Sequence, residues 1–374
     1  MSESQLRVLI AGGGVAGLEA LHGLHALAGE RVQLTLIAPE DEFVYRPLAV
    51  EKPFDVGRIR QVPLTQAARQ AGADFVAGSL ESVDTENKVA KSSEGNGLEY
   101  DALLLAVGAT AVPVVPSAIT WDDRADSETL GGLLQDIDQG YSHSTAVVIP
   151  AGPAWPLRGY ELALLIAQEA YGMSADHRTT LVTPERAPME LLGPRAVEAV
   201  SNELDKAGVA VVSAASIDLE RGQITTLTLQ PSGQRVEVSR VLALPALRGR
   251  PIPGIPTDDD GFIEVDEHGR VPGLDGVWAA GDTTAFPVKS GGFAAEEADV
   301  AAEDIAAAAG AAVEPRAFDP GSRPELAGLP AGRYLKAWLA VGDDEGLTTH
   351  VQSNDVPVLT YLARDLSAGQ RGKG

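Results

Sequence analysis

Two rhythms of apolar and polar positions alternate along the chain. Short apolar-rich runs read as strands: LRVLIA at 6–11, RVQLTLIA at 31–38, Phe75 to Leu80, Ala102 to Val107, Ala146 to Ile149, Thr179 to Val182, Val209 to Val212 and Val277 to Ala280. Between them the apolar positions take helical spacing, in LEALHGLHAL after the first run, from Tyr160 to Tyr171, from Pro194 to Ala207, and in the alanine-rich segment after Gly291-Gly292. Strand, helix and strand in repeated order predict an α/β fold. The order occurs twice, so two Rossmann-like domains are expected, the second inserted in the first: 1–112 with 271–313, and 113–270. A tail over 314–374 is expected to hold a linker, since 311–330 is rich in Pro, Gly and Ala, and then helices at 332–342 and 356–366.

The first strand runs into Gly12-Gly13-Gly14-Val15-Ala16-Gly17. Gly12, Gly14 and Gly17 satisfy Gly-x-Gly-x-x-Gly inside a full strand–turn–helix–strand unit. Gly12 permits the tight turn, Gly14 lets a pyrophosphate approach the backbone, and Gly17 lets helix and strand pack closely. The helix start at Val15 and Ala16 offers its N–H groups to the phosphates. An acid usually ends the second strand of such a unit and holds the adenosine ribose. That position is Ala38; Glu40 reads either as its substitute or as a surface turn residue.

Near the other end lies GVWAAGDTTAFPVKSGGFAAEEADVAAEDIAAAAG, residues 276–310. An apolar strand ending in Gly281-Asp282, then Lys289-Ser290-Gly291-Gly292 and an alanine-rich helix, resembles the second FAD fingerprint of the two-dinucleotide-domain flavoproteins. The resemblance implies FAD as cofactor, with Gly281 and Asp282 at the ribityl–pyrophosphate linkage and the helix at Gly292 aimed at the flavin N1/C2=O edge. Electrons taken up by a flavin put negative charge near N1, which a helix N-terminus and the Lys289 ammonium stabilise. The run Ala102 to Val107, ending at Gly108-Ala109, resembles the segment where the chain leaves the FAD domain, which implicates Ala106 and Gly108. Phe75 to Leu80 resembles the strand beside the adenine, with Leu80 at its end. FVYRPL at 43–48 resembles a loop beside the isoalloxazine in sulfide:quinone oxidoreductases and type II NADH dehydrogenases, which implies Arg46 or the Pro47 backbone near the flavin.

The second unit departs from this pattern. After the run Ala146 to Ile149 come Pro150, Gly152 and Trp155 where a glycine turn for NAD(P)H belongs. Proline removes an N–H and fixes φ, and Trp155 puts an indole where the third glycine is expected. Weakened or lost NAD(P)H binding follows as an expectation. The turn also resembles that of flavocytochrome c sulfide dehydrogenase, proline-rich and leading into Tyr160-Glu161, with the redox cysteine position of that family falling on Trp155 or Pro156. Trp155 is therefore expected either to face the flavin or to fill core space between the domains. Arg158 reads equally as a contact for an anionic substrate or as a surface residue at the helix start.

Composition narrows the chemistry. The chain of 374 residues has no cysteine, which excludes thiolate nucleophiles, persulfide chemistry and cysteine-held metals. Its six histidines lack metal-site spacing, so redox work needs a borrowed cofactor. A formal charge of −24 disfavours nucleic acid and anionic lipid. No apolar run of spanning length and no signal-peptide pattern occur, so a cytoplasmic location is expected. The C-terminal helices are expected to pack on the protein rather than on a membrane surface, and a homodimer is the default for the class. The expectation is an FAD-dependent oxidoreductase that takes electrons from an unidentified small donor and passes them to a quinone-like or other acceptor. The alternatives are an NAD(P)H-dependent reductase and a flavin-holding protein without turnover.

Overall fold

The computed structural model describes residues 5–45, 60–121, 127–221 and 225–319. Arg46, Pro47 and both expected C-terminal helices lie outside these residues. Five parallel strands form the first sheet, in the spatial order Val277–Ala279, Ala102–Leu105, Leu6–Ala11, Val32–Ala38 and Asp74–Ala77. A second parallel sheet has the order Ile119–Thr120, Arg240–Ala243, Ser144–Val148, Arg178–Val182 and Ala210–Val212. Among the described residues the helices are α1 Val15–Ala28, α2 Leu64–Gln70, α3 Ser127–Asp138, α4 Leu157–Gly172, α5 Pro194–Lys206 and α6 Gly291–Ala308.

The two sheets repeat one plan. In each, a first strand, a helix and a second and third strand lead to a three-stranded antiparallel meander, and the chain then returns beside the first strand. The meanders are Leu80–Asp84, Val89–Ser92 and Gly97–Glu99 in the first unit, and Ser216–Arg221, Thr225–Gln230 and Gln234–Val238 in the second. The expected strand from Phe75 to Leu80 is thus two: the backbone turns at Gly78 (φ +136°), and Leu80 opens the meander.

Both faces of each sheet are buried, which is why its strands read as apolar runs rather than as alternating patterns. Val8 and Ile10 face α1 and α6, while Leu9 and Ala11, on the side of the sheet that Val277 shares, face Ile252 and Ile263. In the second sheet Val147 joins the core under α4, and Ala146 and Val148 join the core over the meander. Alanines at 20, 298, 301 and 302 let α1 and α6 lie close together. Two strands cross between the units, Thr110–Val112 against Ala246–Arg248, antiparallel. Ile252, Ile255 and Ile263, which follow this crossing, pack in the core cluster that holds Leu9, Leu103 and Val277 of the first sheet.

Candidate functional site

The glycine turn works by close packing and by exposure. Gly12 has φ +119°, and a Cβ there would overlap the carbonyl oxygen of Ala106 on the neighbouring strand. A Cβ at Gly17 would overlap the carbonyl oxygen of Gly12, so this glycine seats α1 on its own turn. Gly14 differs: no atom lies within 4 Å of a Cβ built on it. It caps α1 without a side-chain hydrogen bond, and the first turn of the helix holds no acid. The helix dipole and the N–H groups of that turn therefore open onto a cavity.

That cavity, about 370 Å³, is lined by Gly12, Gly14, Val15, Ala16, Glu40, Leu80, Ala106, Gly108, Asp282, Lys289 and Trp155. Eleven of the residues singled out by sequence thus meet on one surface, although they come from both ends of the chain and from both units. Gly281 and Gly292 stand behind it: a Cβ at Gly281 would come within 2.9 Å of Ala16 Cβ, and Gly291 and Ala294 line the wall at the start of α6. Ala38 is 1% exposed and belongs to the core, whereas Glu40 is exposed at the rim. The donor set fits a dinucleotide: an uncapped helix start with an open glycine for a pyrophosphate, an acid at one end and a cation at the other.

Around Lys289 the groups are buried. Its Nζ donates to the carbonyl oxygen of Thr284 at 2.5 Å and lies 4.3 Å from the centre of the Phe262 ring. Burial lowers its pKa from the ordinary lysine value, against the pull of Asp282, Glu297 and Asp258. The Ser290 hydroxyl caps α6 by accepting from Phe293 N. Beneath, the Glu297 carboxylate accepts from Gly281 N at 2.6 Å, and burial pushes its pKa up to about 8.

The second unit's turn is built differently. Ile149 stands where Gly12 stands in the first unit, since each donates its N–H to the strand residue paired just before it, Val182 and Ile37. The close-packing glycine is also present, but at Gly159, where a Cβ would overlap Ile149 Cγ1. Trp155 therefore does not replace the third glycine: the turn is longer, and the glycine comes after the extra residues. Those residues reach the first unit. Ala154 N donates to Pro287 O and Lys289 N to Ala154 O, both at 3.2 Å, in a parallel bridge. Trp155 is half-buried, packs on the second unit's core and lines the cavity beside Arg158.

A repeat that the motif reading missed concerns the ribose acid. Ile37-Ala38-Pro39-Glu40 and Val182-Thr183-Pro184-Glu185 occupy equivalent places at the ends of the two second strands. Glu40 lines the cavity, whereas Glu185 is held inward: the fully buried Tyr160 donates its hydroxyl to Glu185 Oε2 at 2.7 Å. Burial raises the pKa of both, with the Tyr160 phenol well above its ordinary range. Thr284 and Glu297 were also missed, and Ser290 was read as part of the Lys289–Gly292 turn without its capping role. A Ser before Gly-Gly is a helix-cap signal that could have shown that role, but nothing in the sequence marks a buried acid 16 and 13 residues away from its partners Gly281 and Thr284.

A family model described as pyridine nucleotide-disulphide oxidoreductase matches residues 6–311. The chain belongs to this family. It is 27% identical over 305 residues to an NADH dehydrogenase-like protein of Mycobacterium tuberculosis, covering 75% of this chain and 73% of that protein. It is 29% identical over 296 residues to the ferredoxin–NAD(+) reductase component of the biphenyl dioxygenase system of Paraburkholderia xenovorans, covering 76% and 69%. Its fold is similar to that of sulfide:quinone oxidoreductase from Aquifex aeolicus, with a TM-score of 0.71 at 16% identity over 81% of this chain and 76% of the other. The chain is thus an FAD-dependent oxidoreductase of this family, and it has no cysteine. No helix among the described residues is long and apolar enough to cross a membrane, and no cluster of metal-ligating side chains occurs among them.

Proposed function

We propose that FAD lies along the cavity with its pyrophosphate at Gly14–Ala16, its adenosine towards Glu40 and Leu80, and its isoalloxazine between the Lys289–Gly291 turn and Trp155, and that electrons enter from a small donor other than NAD(P)H and leave to a quinone-like or other acceptor. The continuity of one cavity from the open Gly14 to Lys289 and Trp155 carries this reading. FAD supplies a reversible store for two electrons. The chain's own residues then have distinct tasks. The α1 dipole and N–H groups bind the pyrophosphate without a competing side chain. Lys289, anchored through Thr284, and the start of α6 face the flavin edge where negative charge collects. The turn at Ala154–Trp155, tied to Lys289 by its backbone, covers the face on which a nicotinamide would stack and keeps water from it.

NAD(P)H as donor is the second reading. The family and the NADH dehydrogenase-like relative favour it. Against it stand Ile149 in the place of the first glycine and Glu185 held by Tyr160. An anaerobic titration of the purified protein decides between them, following absorbance near 450 nm, roughly the visible flavin band. The expected result is no bleaching by NADH, NADPH or sulfide, with ready reduction by dithionite. Rapid bleaching by either pyridine nucleotide overturns the first reading in favour of the second. Purified protein without FAD overturns both.

A further inference from the structure

Glu297 has no task in the scheme above, yet it is 6% exposed, on α6, directly behind the Gly281–Thr284 turn. Its hydrogen-bond partners bear on its protonation. Gly281 N donates to Oε2 at 2.6 Å. The Thr284 hydroxyl lies 3.1 and 3.2 Å from Oε1 and Oε2, and 3.0 Å from the carbonyl oxygen of Gly281. A threonine hydroxyl has one proton to give and faces two acceptors. An ionised Glu297 would leave one acceptor pair, Thr284 Oγ1 with either Gly281 O or the carboxylate, in lone-pair contact. A protonated Glu297 resolves the conflict: its O–H donates to Thr284 Oγ1, and Thr284 donates to Gly281 O. Thr284 also links the acid to the cation, because its carbonyl oxygen accepts from Lys289 Nζ.

The charged groups around this carboxyl are few. Lys289 attracts the ionised form and Asp282 repels it; Asp258 stands beyond, on the Lys289 side. On its own helix, Glu296 and Asp299 pair with Arg316. On α1, packed along α6, the buried titratable residues are Glu19 and His22. Loss of water outweighs the help from Lys289, so the carboxyl holds its proton well above the ordinary range.

We propose that Glu297 is a positioning residue that carries a proton at neutral pH, and that this proton, through Thr284, keeps the charge of the Lys289 turn facing bound FAD positive. The inference rests on the placement of FAD given above. When Glu297 loses its proton, its charge offsets that of Lys289 and disfavours electrons on the flavin. Conversely, electrons on the flavin hold the proton on Glu297. The midpoint potential of bound FAD should therefore fall more steeply with pH through the window near pH 8 than on either side.

Two measurements test this. The first is the midpoint potential of the holoprotein from about pH 6 to about pH 10, for wild type and Glu297→Gln. The expected result is a steeper stretch near pH 8 in wild type that the glutamine variant lacks, its potential staying on the low-pH trend. Superimposable curves overturn the proposal. The second needs no variant: carbon-13 NMR of glutamate carboxyls in wild type, where one buried carboxyl should titrate near pH 8. If every carboxyl titrates in the ordinary acidic range, the proposal fails even should Glu297→Gln not fold. A carboxyl that titrates near pH 8 beside a potential that ignores it also overturns the proposal, and leaves FAD placement intact. Purified protein that lacks FAD removes the underlying reading as well.

Discussion

Two glycines of one motif should respond differently to replacement. Gly17→Ala forces a methyl into the carbonyl of Gly12 and should destabilise the protein by several kcal/mol, roughly the range of strained or overpacked sites. Gly14→Ala meets no atom of the protein, so its melting temperature without FAD should stay close to wild type. If FAD lies as proposed, the variant's affinity for it should fall at least about tenfold, because the methyl would occupy the pyrophosphate approach. Thermal melts of the stripped protein and an FAD titration check both, and equal FAD affinity in Gly14→Ala would remove the pyrophosphate from this turn. Trp155 has a separate readout. In the holoprotein, Trp155→Phe should relieve quenching of flavin fluorescence; unaltered emission would mean that the indole serves the second core alone. Gly12, Gly14 and Gly17 were legible in the sequence because their spacing follows from local backbone geometry. Glu297 was not, since its role depends on burial against Gly281 and Thr284, which lie 16 and 13 residues away and meet it only after folding.

At the scale of elements, the unit from 119 to 243 keeps the strand–helix–strand plan of a nucleotide-binding domain while altering its turn. The elements themselves were readable from periodicity, with α4 starting at Leu157 rather than Tyr160, behind a proline that suits a helix start. The fate of the turn was not. Its extra residues pair with Pro287 and Lys289, far away in sequence, so their purpose appears only when the two units are side by side. The Tyr160–Glu185 hydrogen bond is an inter-element lock of the same kind, joining α4 to the end of the Arg178–Val182 strand. Tyr160→Phe should cost about 1–3 kcal/mol, with the larger loss at alkaline pH, where an ionised Glu185 most needs the donor. Chemical denaturation at mildly acidic and alkaline pH would show it. A variant as stable as wild type at both would mean that the lock contributes nothing.

Over the whole molecule, two sets of carboxyls act in opposite pH ranges. Asp304 accepts from Trp278 Nε1 and from Arg270, and Asp101 from Arg7; both carboxyls are held below the ordinary range by these donors, in spite of desolvation. Their stabilisation is present above the ordinary carboxyl range and lost as pH falls through their lowered values. Glu297 and Glu185 have raised values, so stability is fullest below the ordinary carboxyl range of each and is lost as pH rises towards the folded value, about 8 for Glu297. Thermal stability of the FAD-free protein should therefore peak in mild acid and decline towards pH 9, by roughly a few kcal/mol, and Glu297→Gln should blunt the decline. A melting temperature that is flat from pH 5 to pH 9 would contradict this. Taken by itself, the sequence determined the α/β class, the repeated strand–helix–strand order, the first glycine turn and the exclusion of thiol chemistry. These follow from local periodicity, local backbone geometry and the residue inventory, none of which needs a partner distant in the chain. Tertiary structure alone decided that Glu40 reaches the cavity while its counterpart Glu185 turns inward, that the second turn ties itself to Lys289, and that Glu297 lies buried behind Gly281. Each depends on what a side chain meets after folding, and burial and hydrogen-bond partners are properties of that encounter rather than of the residue.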